Sequence, residues 1–179
     1  QSWNILGGFT GYVSFGNSVF YGLGSYGVAI AMAQWHLPFW AGLLFAAAIA
    51  VAFAALLGWS ILRLRGPYFA IVTLGLSAAM SALASNLDIA GKNVGLTLPL
   101  TRDDTLFFEL ALALLAAATA TVAWIAHSRF GMALIAIRED EDAAATVGVN
   151  ATRYKIAALA MAAFFTALAG GIHAYWITY

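Results

Sequence analysis

The chain of 179 residues is 63% hydrophobic and only 9% charged, and its eight basic and eight acidic residues leave no net charge. A soluble domain carries about 25% charged residues, so the composition excludes an ordinary soluble domain. The zero net charge argues against the basic footprint of a nucleic-acid-binding protein, and no nucleic-acid partner is expected. The chain has no cysteine, which excludes thiolate metal ligands, disulfides and thiol redox chemistry.

The apolar runs predict an all-α, polytopic membrane bundle with about five membrane segments surrounded by membrane lipid. A spanning helix needs about 20 predominantly apolar residues. Runs of this kind lie at 12–33, 38–62, 67–86, 106–126 and 156–178. Glycines interrupt the first run, and they either allow close helix packing or line a pore, so this segment is either a full span or re-entrant. We expect residues 1–179 to form a single transmembrane domain within a longer polypeptide.

The basic residues are distributed unequally between the two predicted sides of the membrane. If every run crosses, one side carries six basic residues and the other carries two. The two groups are Arg63, Arg65, Arg129, Arg138, Arg153 and Lys155 against Lys92 and Arg102. Because cytoplasmic loops carry an excess of lysine and arginine, the first side is predicted to be cytoplasmic.

Half of all the charged residues lie in the segment 129–155, between two apolar runs. Gly131 to Ile137 is predicted to continue a helix out of the membrane. A short helix is then predicted to begin at Glu139 or Asp140, since carboxylates are favoured at a helix N-terminus. A glycine, Gly148, is suited to end it in a left-handed cap, and Asn150 is suited to cap the next helix.

This predicted short helix presents a flat face of three consecutive alanines, Ala143 to Ala145, to a soluble partner. The simpler alternative is a solvated loop whose charges keep it out of lipid. The residues assigned to the docking element are Arg138, Glu139, Asp140, Glu141, Asp142, Ala143, Ala144 and Gly148.

Polar side chains within or between the apolar runs are candidates for a translocation path. One pair lies a single helical turn apart, and a second set recurs every four residues along a later run. Each group either offers hydrogen bonds to a solute or joins helices to one another. The candidates are Ser14, Asn17, Thr73, Ser77, Ser81 and Asn93.

Four blocks of the sequence, in order, resemble the branched-chain amino-acid ABC permease family, and its M-type membrane subunits most of all. The blocks are GYVSFGNSVFYGLGSYGVA at 11–29, LRLRGPYFAIVTLG at 62–75, AGKNVGL at 90–96 and the stretch 128–174. Within the last block, Asp142-Ala143-Ala144 followed by Gly148 resembles the EAA signature of ABC-importer permeases, with aspartate in place of glutamate and without the downstream Ile-x-Leu-Pro. Asn17 stands where the family often has histidine, which leaves the substrate open.

The resemblance implies a permease subunit of an ABC importer in a bacterial or archaeal cytoplasmic membrane. It implies four partners: two ABC ATPase subunits, a homologous second permease subunit and a periplasmic substrate-binding protein. The sequence has no nucleotide-binding motif. The chain is therefore expected not to be an enzyme and to hold no cofactor, with ATP bound by the partner subunits. The family's solutes are branched-chain amino acids, and also urea, amides and aromatic acids.

Two other functions share the composition. An ion-coupled secondary transporter normally places an ionisable residue near the middle of the membrane. None lies near Ala50, Ser77, Ala116 or Leu168, the midpoints of the four clearest runs. A structural membrane subunit needs no docking loop. The three histidines lie far apart in the sequence, so no metal site is expected.

Overall fold

The structure is a computed structural model that describes residues 1–12, 14–62, 67–87 and 104–177. In these ranges the chain is helical and contains no strand. A short π-helical segment, Asn4–Gly8, precedes seven α-helices. The helices are α1 (Asn17–Ala33), α2 (Phe39–Ile61), α3 (Pro67–Asn86), α4 (Asp104–Ala126), α5 (Arg129–Glu139), α6 (Glu141–Thr146) and α7 (Ala151–Ile177).

Four helices of the described part are long and apolar enough to cross a membrane. They are Phe39–Ile61, Tyr68–Asn86, Thr105–Ala126 and Ala151–Ile177. The fifth candidate, α1, has 17 residues. At 1.5 Å per residue it is about 25 Å long, slightly shorter than the hydrocarbon core of about 30 Å. The prediction of an all-α, multi-pass membrane protein with about five segments is therefore confirmed.

The helices of two predicted spans begin five residues away from the predicted bounds, and the others begin within two residues of them. α1 begins at Asn17 rather than at residue 12, because Gly11 adopts a left-handed conformation with φ of +71° and the chain turns before the helix starts. The predicted span 156–178 continues a helix that begins at Ala151, since the Asn150 side chain accepts a hydrogen bond from the backbone N–H of Arg153 at 3.2 Å. The predicted capping role of Asn150 is thus confirmed.

The centre of the bundle consists of α1, α2 and α7, which pack with their backbones unusually close. A side chain at Gly24 would collide with the carbonyl oxygen of Ala167, and one at Gly170 would collide with that of Tyr21. Small residues allow such close approach between membrane helices. At these two positions the glycines serve helix packing, whereas Gly22 of α1 faces open space.

The N-terminal segment 1–12 runs antiparallel to α7. Ser2 and Thr166 share a hydrogen bond between their hydroxyls at 3.0 Å, whereas Tyr12 lies beside Lys155, near the start of α7. α2 ends in the same region, because a Cβ at Gly58 would lie 3.0 Å from Ile156. Residues 129–155 lie at this end of the bundle, and we call them its charged end.

At the opposite end, Tyr175 near the end of α7 packs against Phe39 at the start of α2 and Phe107 near the start of α4, with ring centroids 4.6 and 5.4 Å apart. α2 and α4 therefore both run toward the charged end, while α7 runs away from it.

The prediction that a helix continues out of the membrane through Gly131 is wrong. α4 ends at Ala126 and a separate helix, α5, begins at Arg129. Ser128 caps α5, since its hydroxyl accepts a hydrogen bond from the N–H of Gly131 at 3.1 Å. Gly131 lies so close to α4 that a side chain there would collide with the carbonyl oxygen of Ile125. The glycine therefore allows a sharp turn between the two helices.

Candidate functional site

The short helix predicted at the charged end is present as α6, with six residues. Its N-terminus is capped by Asp140, whose Oδ1 accepts hydrogen bonds from the backbone N–H groups of Asp142 at 2.9 Å and Ala143 at 3.0 Å. This cap satisfies two N–H groups that lack a partner within the helix. The predicted acidic helix start is confirmed, with Asp140 in the capping position.

The C-terminus of α6 ends in the predicted glycine cap. Gly148 has φ of +87°, a conformation that glycine adopts without steric penalty. Its N–H donates to the carbonyl of Ala145 at 3.0 Å, and the N–H of Val149 donates to the carbonyl of Ala144 at 3.1 Å. This pair of bonds is the Schellman motif. Both ends of a very short helix are thus held by specific contacts.

The three alanines of α6 do not form one exposed face, and this part of the prediction is wrong. Ala144 is only 3% exposed and packs toward the bundle, whereas Ala143 and Ala145 are exposed. Successive helical residues point about 100° apart, so three in a row cannot share a face. The outward strip of α6 instead contains Ala143 and Thr146, and it ends at Val147, which is 77% exposed.

Beneath α6 lies a partly buried polar group that we call the Tyr12–Glu141–Lys155 cluster. Lys155 has no exposed surface, and its Nζ donates to Glu141 Oε2 at 2.6 Å and to the Tyr12 hydroxyl at 2.7 Å. The Tyr12 hydroxyl donates to Glu141 Oε2 at 3.1 Å. The ammonium also lies 4.2 Å from the centroid of the Tyr12 ring, within the range of a cation–π interaction.

The sequence pattern gave no indication of this cluster. Glu141 was assigned to the docking element and Lys155 to the basic residues of the loop, but the structure turns both side chains inward. Tyr12 is not among the predicted site residues, and it lies 143 positions from its lysine partner. Helical periodicity describes neighbours within a helix, so it cannot pair residues across the fold.

Arg138 and Glu139, two further residues of the predicted docking element, are largely exposed and form an ion pair at 3.0 Å. Arg138 also donates to the carbonyl of Gly8 at 3.3 Å. Its side chain passes so close to Gly11 that an added Cβ would lie 2.9 Å from Arg138 Cγ. Arg138 therefore joins α5 to the N-terminal segment, a structural role that is separate from its predicted place in the docking element.

Two of the path candidates are buried: Ser14 in the turn that precedes α1, and Thr73 in α3. The Thr73 hydroxyl accepts from the N–H of Phe15 at 3.1 Å and donates to the carbonyl of Ala70 at 2.9 Å. The Ser14 hydroxyl accepts from the N–H of Gly16 at 3.2 Å. Both side chains are engaged with backbone groups: Ser14 bonds within the turn, and Thr73 ties the turn to α3.

Ser77 differs from Thr73, because it lines an open groove of about 570 Å³ between α1, α2 and α3. Its hydroxyl lies 2.6 Å from that of Ser18 on α1. Ser81 and Ser85 line the same groove one and two turns further along α3. Asn17 is half-buried. Asn93, together with Lys92, Arg102, Arg63 and Arg65, lies outside the described residues.

The fold is that of a multi-pass helical membrane protein. Its long apolar helices surround a centre packed through glycines, and the short capped helix α6 lies at the charged end. The family model described as "Branched-chain amino acid transport system / permease component" matches residues 2–178. The chain belongs to this permease family.

Two curated relatives are similar to nearly the whole chain. The high-affinity branched-chain amino acid transport system permease protein LivM of Salmonella typhimurium is 30% identical over 203 aligned positions, which cover 96% of this chain and 48% of the relative. LivM of Escherichia coli strain K12 has the same identity and coverage. The chain thus spans about half the length of these relatives. The search of solved structures finds no significant match.

Proposed function

We propose that the chain is the core of a permease subunit of an ABC importer that carries branched-chain amino acids or a related small solute such as urea, an amide or an aromatic acid. The proposed complex contains two ABC ATPase subunits, a second homologous permease and a periplasmic substrate-binding protein. The family match and the branched-chain amino acid transport for which both LivM relatives are named support this class of solute.

The observation that carries the proposal is the build of α6. It is a six-residue helix, capped at both ends, between two spans, and it directs Ala143 and Val147 outward. The two residues are four positions apart and share one face. The small Ala143 lets a groove on a soluble ATPase approach closely, and the exposed Val147 offers this groove an apolar contact. Asp142 lies at the polar margin of the strip.

The charged end then faces the cytoplasm, in the cytoplasmic membrane of a bacterium or archaeon. The excess of basic residues in the segments flanking α6 and following α2 supports this orientation. The ATPases, which need cytoplasmic ATP, meet α6 on that side, and the binding protein meets the opposite end of the bundle.

In the proposed cycle, ATP binding draws the two ATPases together, and α6 moves with the ATPase on which it docks. The permease pair opens outward and receives the solute from the binding protein. ATP hydrolysis then restores the inward-facing state. The groove between α1 and α3 is a candidate for this chain's share of the path, because it is largely apolar and carries a row of hydroxyls from Ser18, Ser77, Ser81 and Ser85.

The test is solute uptake into proteoliposomes that contain the full-length permease with its partner subunits. Radiolabelled leucine, urea and benzoate are compared with and without ATP on the ATPase side and with and without the binding protein. We expect uptake of one solute class that requires both. Uptake driven by an ion gradient without ATP would establish a secondary transporter instead, and failure of any ATPase to co-purify would contradict the proposed complex.

A further inference from the structure

We propose that the Tyr12–Glu141–Lys155 cluster transmits the movement of α6 to the membrane helices, an inference that rests on the proposed function. Each residue belongs to a different element. Glu141 is the first residue of α6, Lys155 lies in the second turn of α7, and Tyr12 ends the N-terminal segment just before α1.

The cluster joins the two ends of the chain segment that carries α6. Glu141 and Lys155 are 14 positions apart, and between them lies Gly148 with its left-handed backbone. With only the covalent connection, α6 could swing about this glycine without moving α7. The 2.6 Å contact between the ammonium and the carboxylate joins both ends of the segment, so that α6 and the start of α7 move together.

The cluster also reaches the two helices that border the candidate path. The Tyr12 ring packs edge-on against Phe69 of α3, with centroids 5.4 Å apart. The turn that follows Tyr12 is bonded to Thr73 of α3 through the N–H of Phe15. A displacement of α6 is therefore passed to α7, to the turn that begins α1 and to α3.

A fully buried ammonium is stable only when it is paired and hydrogen-bonded, so this contact is not readily exchanged for water. An exposed ion pair, such as that of Arg138 with Glu139, contributes little and breaks easily. The burial of Lys155 makes the cluster a firm connection at a place where the other charged residues, apart from the half-buried Glu141, are exposed.

The variants must separate transmission from simple stabilisation of the fold. Lys155→Met alone leaves the Glu141 carboxylate without its ammonium. The double variant Glu141→Gln with Lys155→Met removes both charges, and neutral replacement of a buried pair is often tolerated by the fold. Arg153→Met is the matched control, because it removes an exposed basic side chain two residues away on the same helix. Lys155→Arg preserves the charge.

The experiment measures leucine uptake and phosphate release in the same proteoliposomes, with the full-length permease and its partner subunits. In the double variant we expect the ATPases to co-purify and hydrolyse ATP, while solute moved per ATP falls by about 5- to 150-fold, the usual range of coupling between sites. Arg153→Met should keep the wild-type ratio, and Lys155→Arg should recover part of it.

If the double variant assembles and moves as much solute per ATP as the wild type, the inference is overturned, while the proposed function is unaffected. A double variant that loses ATPase binding and insertion together would also overturn the inference, since the cluster would then serve only to stabilise the fold. Absence of ATP-dependent uptake by the wild-type complex would overturn the proposed function, and the inference with it.

Discussion

The membrane centre of this protein and its charged end are held together in different ways. In the centre, α1 and α7 meet through glycines whose neighbours are backbone carbonyls, so the contact is steric and almost without charge. At the charged end, α5, α6 and the start of α7 are held by capping hydrogen bonds and by the ion pair between the buried Lys155 and Glu141. The first arrangement gives a rigid packing, whereas the second depends on a few discrete contacts.

This difference fits the two tasks proposed for the regions. Close-packed helices resist continuous deformation, so the centre moves as a body. A six-residue helix has too few internal hydrogen bonds to be stable alone and keeps its shape through its caps and its packing. The conformation of the charged end is thus set mainly by its own caps and local contacts, and this end is attached to a stiff bundle.

The largest effect is expected from filling the closest contact of the centre. Gly24→Ala places a methyl group against the carbonyl of Ala167, so α1 and α7 must separate. We expect the free energy of unfolding to fall by about 3 kcal/mol, which is at the upper end of the cost of overpacking a site. Gly22→Ala is the control on the same helix, since nothing lies within 4 Å of its added Cβ, and should stay within about 0.5 kcal/mol of the wild type.

Thermal unfolding of both variants in detergent measures the difference. Equal midpoints for Gly24→Ala and Gly22→Ala would show that the centre is not packed through its glycines, and the contrast between the two regions would fail.

A smaller and local effect is expected from the cap of α6. Asp140→Ala removes the acceptor for the N–H groups of Asp142 and Ala143 and should destabilise α6 by about 1 kcal/mol. Asp140→Asn keeps a capping oxygen and should change little. Hydrogen exchange at those two amides is the measurement, and protection lost throughout the bundle rather than in α6 would contradict a charged end whose conformation is set by its own caps.

The smallest effect is expected at the other end of the same helix. Gly148→Ala forces a side chain into a left-handed backbone and should cost about 1 kcal/mol or less, since open space surrounds the added methyl group. Gly148→Asn should cost less, because asparagine tolerates this conformation better. Proteolysis of the 147–150 connection measures the change, and an unaltered cleavage rate in the alanine variant argues against strain there.

Local features of the sequence predicted most of the fold. The spans follow from uninterrupted apolar runs, and the ends of α6 follow from an aspartate and a glycine that act on their own neighbours. The start of α7 follows in the same way, because the side chain of Asn150 accepts a hydrogen bond from the N–H of Arg153 three residues further on.

The candidate site was predicted less completely, because its main contacts join distant segments. The side of α6 that carries Ala144 is decided by packing on the bundle. The pairing of Lys155 with Tyr12 requires the N-terminal segment to lie along α7, which no local pattern encodes. Thr73 and Ser77 looked equivalent in the sequence, yet the first holds a turn and the second lines a groove.

The most direct test of the account is whether the outward strip of α6 touches an ATPase. The 179 residues contain no cysteine, so Ala143→Cys introduces one thiol into them, which carries a photo-activated cross-linker after any reactive cysteines elsewhere in the complex have been replaced. Glu109→Cys, an exposed position near the start of α4 at the opposite end, is the control. We predict an adduct between Ala143→Cys and the ATPase subunit and none from Glu109→Cys. A complex that retains ATP-driven uptake but gives no adduct at residue 143 would contradict the docking role of α6.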